Sequence, residues 1–164
     1  SDGTLKIVKY DYKSTATSVT IPSEIDGMAV TEIKESVFAD STKLKTVVIP
    51  DTVKTICAQS IGECAALESL VIGVGVDSIL SPKPGNSLFY RCPQLTTVRF
   101  MGDAPTHVDD LIYQAVSPVL ITFVPQGSKG WNREGADRGG RGRVCVRERG
   151  VRRTGRGDLG GDGV

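Results

Sequence analysis

The chain has 164 residues, of which 39% are apolar and only 5% aromatic. That allows one ordinary domain whose core must be built from Val, Ile and Leu rather than from rings. No apolar run approaches the ~18 residues that a membrane helix needs, and the net charge of +1 hides a sharp split along the chain.

All nine Lys lie at or before Lys129, whereas nine of the eleven Arg lie at or after Arg133. Residues 1–131 carry 11 basic and 14 acidic side chains, a balance of −3; residues 132–164 carry 9 and 5, a balance of +4. The expected organisation is a domain over 1–131, with capping strands over about 1–17, and a separate tail over 132–164. A chain that opens on Ser1 is expected to be a mature form or an excised fragment, so the missing leader says nothing of compartment.

From Val19 onward one pattern recurs. Val19-Thr20-Ile21-Pro22, Val47-Val48-Ile49-Pro50, Leu70-Val71-Ile72-Gly73, Val98-Arg99-Phe100-Met101 and Ile121-Thr122-Phe123-Val124 each alternate an apolar residue with a variable one. Alternation with period two marks a short strand with one buried face. The steps between them are 28 residues (Ile21 to Ile49), 23 (to Ile72), 28 (to Phe100) and 23 (to Phe123). Further columns run through Ile33, Ile56 and Ile79, through Phe38, Ile61, Phe89 and Ile112, and through Leu44, Leu67 and Leu95. Columns in register define a solenoid, whose units bury their apolar edges only by stacking.

The reading is four to five repeats of 23 residues, mostly short parallel strands joined by short helical turns at Glu35–Asp40, Ala58–Glu63 and Ser87–Arg91. Pro22 and Pro50 close their strands, because proline has no N–H to donate to a ladder. Two units carry five extra residues. One insertion falls in Ser23–Met28; the other falls in Leu80–Asn86, where Pro, Gly and Asn predict an exposed loop. Insertions on solenoids tend to project from one face, often the binding face, which brings in Lys83 and Asn86 as candidates.

The segments Thr20–Gly27, Val30–Ile33, Val37–Asp40 and Leu44–Val53 resemble the BspA-like leucine-rich repeat, in which an Ile-Pro strand end, an aromatic-bearing turn, a Cys and a Leu recur. Phe123–Trp131 is similar to the closing piece of such arrays, and Met101–Pro105 to a last-repeat variant. The resemblance covers roughly residues 3–131. It departs at Lys34 and Cys57, which stand in place of Gly, and at His107, which interrupts the Ile column so that Val108 is expected to take its place. It implies a leucine-rich-repeat solenoid in an extracellular or bacterial cell-surface protein. The implied role is non-enzymatic adhesion or protein interaction, with an extracellular or host protein as partner.

Cys64 and Cys92 share one slot in successive units. A disulfide or metal pair is open, but two buried thiols are favoured, since free Cys is among the most buried residue types. There is no Cys-x-x-Cys, and a single His cannot complete a zinc set, so no metal or cofactor is expected. His107 would need a nucleophile or a carboxylate beside it; Asp109 and Asp110 are close in sequence but diverge, and no catalytic fingerprint occurs. The outward strand positions, Thr20, Val48, Val71, Arg99 and Thr122 beside Ser18, Thr46, Ser69, Thr97 and Leu120, form a sheet face that either binds a partner or simply carries β-formers.

The tail holds nine Arg, ten Gly and no aromatic residue, and disorder is expected. An inert or out-of-frame segment is the favoured reading, ahead of nucleic-acid binding through its charge and of the adhesive tripeptide Arg156-Gly157-Asp158. A monomeric interaction module is the leading expectation; a structural spacer within a longer surface array is the alternative, and nucleic acid is the least favoured partner.

Overall fold

A computed structural model describes residues 3–81, 87–109 and 120–131. Two parallel sheets wind around a common core. In sheet 1, β1 (Thr4–Ile7), β4 (Met28–Ile33), β6 (Thr55–Ile56), β8 (Ser78–Ile79) and β10 (His107–Val108) lie side by side. In sheet 2, β2 (Ser18–Thr20), β5 (Thr46–Ile49), β7 (Ser69–Ile72), β9 (Thr97–Phe100) and β11 (Ile121–Phe123) do the same, all labels following chain order. Each coil gives one strand to sheet 1, turns back through a third side, and gives the next strand to sheet 2. The N-terminal stretch supplies β1, which pairs in parallel with β4.

The core consists of the columns read from the sequence. Ile33, Ile56 and Ile79 stack along sheet 1; Ile49, Ile72 and Phe100 along sheet 2; Phe38, Ile61 and Phe89 along the third side; Leu44, Leu67 and Leu95 at the entry to sheet 2. β-Branched side chains suit this arrangement because they pack well on a pleated surface. The Ile33–Ile56–Ile79 column proves to be a second sheet, and Val108 pairs with Ile79 in the place His107 interrupts, but it is 40% exposed where the three Ile are buried.

The expected helical turns do not form: among the described residues there is no helix. Ser36, Asp40, Gln59, Glu63 and Arg91 have φ between 51° and 61°, the left-handed region that ends a right-handed helix. The backbone closes i→i−3 turns instead, as in Ser41 N–H to the Phe38 carbonyl at 3.2 Å, while Phe38 N–H donates across to Ser60 of the next coil at 2.9 Å. Amides committed to a neighbouring coil cannot also propagate a helix.

The first insertion forms a small antiparallel hairpin, β3 (Glu24–Ile25) against the start of β4, turned by Asp26 (φ 52°) and Gly27 (φ 75°). Paired positive φ values are what a two-residue hairpin turn demands. At the corner between the sheets the coils approach very closely. A Cβ on Gly73 would lie 2.5 Å from the Pro50 carbonyl carbon, and one on Gly75 would overlap the Asp51 carbonyl oxygen, so both positions require glycine. Asp51 Oδ1 accepts the Val74 N–H at 2.9 Å and secures that corner.

Past β11 the chain folds back on the last corner. The Trp131 ring packs 4.6 Å from Phe100, its Nε1–H donates to the Gly102 carbonyl at 3.3 Å, and Lys129 N–H donates to Asp103 Oδ1 at 2.7 Å.

Candidate functional site

The outer surface of sheet 2 is assembled by strict register. Ser18, Thr46, Ser69 and Thr97 form one row, and Thr20, Val48, Val71 and Arg99 a second, each residue opposite its equivalent on the next strand. The inward neighbours Val47, Leu70 and Val98 are fully buried, so alternation forces these rows outward. Val48 and Val71 are adjacent and half-buried.

The last strand corrects the sequence alignment by one residue. Ile121 lies opposite Thr97, Thr122 opposite Val98, and Phe123 opposite Arg99. Thr122 is therefore fully buried, as is Leu120 at 2% exposure, and neither belongs to the outer face. Ile121 and Phe123 take their places. A one-residue slip turns every side chain of a strand over, and burying Leu120 and Val124 decides the direction here.

The slip brings Phe123 beneath Arg99, whose guanidinium carbon lies 4.9 Å from the ring centre. A planar guanidinium stacks on such a face with favourable electrostatics. Among the described residues no carboxylate reaches ion-pair distance of Arg99, whereas Lys45 at the margin of the face is paired with Glu68 at 2.9 Å. Lys83 and Asn86 of the second insertion lie outside the described residues, as do Asp110, Ile112, Cys145 and the whole of 132–164, including Arg156, Gly157 and Asp158.

The outer row of sheet 1 is different in character: Lys6, Glu32, Thr55, Ser78 and His107 are in register. Glu32 receives Lys34 at 2.7 Å, Lys6 at 2.9 Å and the Cys57 thiol at 3.4 Å. Hydrogen bonds from the two ammonium groups, Lys34 foremost, pull its carboxyl down from 4.5 to about 2. Cys57 moves the other way: burial first, then the Glu32 carboxylate, pushes its thiol up from 9.0. A nucleophilic cysteine needs the opposite shift.

His107 does meet a carboxylate, but it comes from the preceding coil rather than from Asp109. The Thr106 hydroxyl donates to Asp77 Oδ1 at 2.6 Å and lies 2.7 Å from His107 Nδ1, which is itself 3.5 Å from Asp77 Oδ2. Both contacts fall on the same ring nitrogen, whereas a nucleophile–base–acid relay needs one on each. The group is also open to water, His107 being 73% exposed. Asp109 instead accepts the Ser81 N–H at 2.6 Å. The signal for Asp77 was in the spacing: it sits one position before the Ile79 column's outward neighbour Ser78, as Thr106 does before His107.

Cys64 and Cys92 are free, fully buried and stacked in one column with Ser41. Cys64 donates to the Phe38 carbonyl at 3.1 Å and Cys92 to the Ile61 carbonyl at 3.0 Å. The neighbouring Cys92 thiol and burial together push the Cys64 pKa far up, which keeps it protonated. Among the described residues no three His, Cys, Asp or Glu side chains converge as a metal site would require, and no helix is long and apolar enough to cross a membrane.

Two stacked sheets with one open, register-built face define a leucine-rich-repeat solenoid. The family model for the BspA type leucine rich repeat region matches residues 6–118 in six copies, and the chain belongs to that family. Repeats of this type are generally protein-interaction or surface modules. No curated protein and no solved structure matches the chain.

Proposed function

We propose that this chain is a non-enzymatic protein-interaction module of a secreted or cell-surface bacterial protein, and that it binds through the outer face of sheet 2. The observation that carries the reading is the register of that face. Val48 and Val71 stand side by side, and Arg99 stands next in the same row on its Phe123 platform. The row combines apolar area with one oriented cation on a rigid scaffold. Interfaces draw most of their energy from a few such groups, with Arg and aromatic residues enriched among them. Solenoids expose this kind of extended surface to partners.

The test is capture of an extracellular-matrix extract by the immobilised chain, run beside the double variant Val48→Glu/Val71→Glu. Both side chains point outward, so the variant keeps its far-UV spectrum and melting temperature. A partner retained by the natural chain and lost by the variant supports the reading. Equal retention by both, or by neither, favours a spacer whose binding is done elsewhere in a longer protein.

A further inference from the structure

We propose that the partner of the sheet 2 face is an acidic, extended protein segment. In it a carboxylate pairs with Arg99, and an apolar side chain two residues away rests on Val71 and Val48. The inference rests on the interaction reading of this face and names what the face selects.

The charge pattern points to an acid. Ser18, Thr20, Thr46, Val48, Ser69, Val71, Thr97, Ile121 and Phe123 are neutral, so Arg99 is the single charge in the two outward rows. Lys45, the cation at the margin, is already paired with Glu68, and Lys6 and Lys34 on the other sheet share Glu32. Arg99 has no such partner among the described residues. Its guanidinium is instead held over the Phe123 ring. Stacking fixes the plane and leaves the edge donors for a planar acceptor. A carboxylate takes that fork bidentately. Because the guanidinium is ordered beforehand, less freedom is lost on binding.

The apolar neighbours point to a protein segment rather than a bare anion. Adjacent strands lie about 4.8 Å apart, which puts Val71 about 5 Å and Val48 about 10 Å from Arg99 along the row. An extended chain presents a side chain to the same side every ~6.8 Å. A segment crossing the strands with its acid on the Arg99 guanidinium therefore brings its next same-side residue towards Val71, with Val48 beyond it. The row of Thr46, Ser69 and Thr97 hydroxyls runs alongside and suits backbone amides. The expected recognition pattern is acid–any–aliphatic.

The test selects a displayed random-heptapeptide library on the full-length chain and measures the enriched peptides by fluorescence anisotropy. Enrichment of Asp or Glu two positions from Val, Ile or Leu is expected. Arg99→Gln should weaken those peptides roughly tenfold, the scale of one charge-assisted hydrogen-bonded pair. Arg99→Glu should reverse the preference, so that peptides with Lys or Arg in place of the acid now bind. That reversal also separates recognition from folding damage, because an unfolded variant gains no new preference. Enriched peptides without an acid, or unchanged affinity in Arg99→Gln, overturn the acid rule; if Val48→Glu/Val71→Glu still abolishes their binding, the face itself survives as the interaction surface. Peptide binding indifferent to both sets of variants overturns the interaction reading as well. Retention on heparin beads that Arg99→Gln abolishes, with no peptide enriched, assigns the face to a sulfated polysaccharide and overturns the proposal.

Discussion

Thr122 lies directly opposite Val98 in the strand ladder, and both are fully buried. This pairing places Ile121 and Phe123 outward, although Ile121-Thr122-Phe123 aligns by eye with Val98-Arg99-Phe100. Substitution distinguishes the two registers. Thr122→Asp would put a carboxylate into the core and should destabilise the fold by about 3 kcal/mol or more. Ile121→Asp, on the outer face, should change stability by less than about 1 kcal/mol. Urea midpoints of the two variants give the comparison, and the reverse order would restore the alignment read from sequence.

Ile72 tests the stacking. It is fully buried and lies between Ile49 and Phe100 in adjacent coils. Truncation to Ala removes apolar area and leaves a cavity that neighbours on both sides hold open, at a cost of about 2–5 kcal/mol. In an array this short such a loss should lower the thermal midpoint markedly. A midpoint within a degree of the natural chain would show that the coil contacts are not cooperative.

The columns of Ile, Leu and Phe were legible because stacked coils demand the same inward residue at every pass, which leaves a 23- or 28-residue period in the sequence. Sheet 1 was legible only as its buried column. β6, β8 and β10 are two residues long, too short to display alternation. The spacing in Glu35–Asp40 fits a helical turn and a chain of β-turns equally well; the positive φ values at Ser36 and Asp40 that decide the matter leave no mark in hydrophobicity. The outer face was legible at Val48, Val71 and Arg99 and misread at Thr122. Inward position there is set by Leu120 and Val124, whereas the alignment followed the more conspicuous Phe. Asp77 carries no local signal as a partner of His107, because solenoid neighbours lie one coil away in sequence.

Glu32 should make the fold sensitive to acid. Its carboxyl is lowered from 4.5 to about 2 by Lys34 and Lys6, so the ion-paired form belongs to the folded state. A depressed carboxyl contributes stability that is full above 4.5 and is lost as pH falls towards 2. The shift alone corresponds to about 3 kcal/mol. Both ammonium groups are about half exposed, at 43% and 52%, and screening by water reduces the net effect to about 1 kcal/mol. Lys34, raised above 10.5 by the same pair, gives the mirror loss as pH climbs through its folded value. Glu32→Gln should flatten the stability profile between pH 5 and pH 2 (roughly one titration span). An identical profile in the variant would remove Glu32 from the account.

The thiols should fall into two classes. Cys64 and Cys92 are fully buried and hydrogen-bonded, and Cys57 is partly accessible beside Glu32. Thiolate is the reactive form and the reagent must reach it, so alkylation of the folded chain should modify Cys57 slowly, while burial shields Cys64 and Cys92 until the chain unfolds. Peptide mapping after timed labelling reads the order directly. Rapid loss of the Cys64 thiol in native conditions, or a Cys64–Cys92 bridged peptide, would contradict the buried free column.

Ser41 offers the most pointed test of that column. It occupies the slot of Cys64 and Cys92 one coil earlier and is equally buried. The two thiols donate to carbonyls of the coil before them, at 3.1 Å and 3.0 Å. The Ser41 hydroxyl is buried with no hydrogen-bond partner among the described residues. A buried hydroxyl left unpaired is destabilising by about 1–3 kcal/mol, whereas a thiol is a weak donor that behaves as a small apolar group. Ser41→Cys should therefore stabilise the fold by about 1 kcal/mol, and Cys64→Ser should destabilise it by a similar amount, since its oxygen is the more expensive atom to bury. Ser41→Ala separates the two contributions: it removes the hydroxyl without filling the space, and should fall between the natural chain and Ser41→Cys. Equilibrium urea unfolding of the three variants ranks them. If Ser41→Cys is the least stable of the set, the slot is too small for sulfur in the first coil, and the column repeats in sequence position but not in packing.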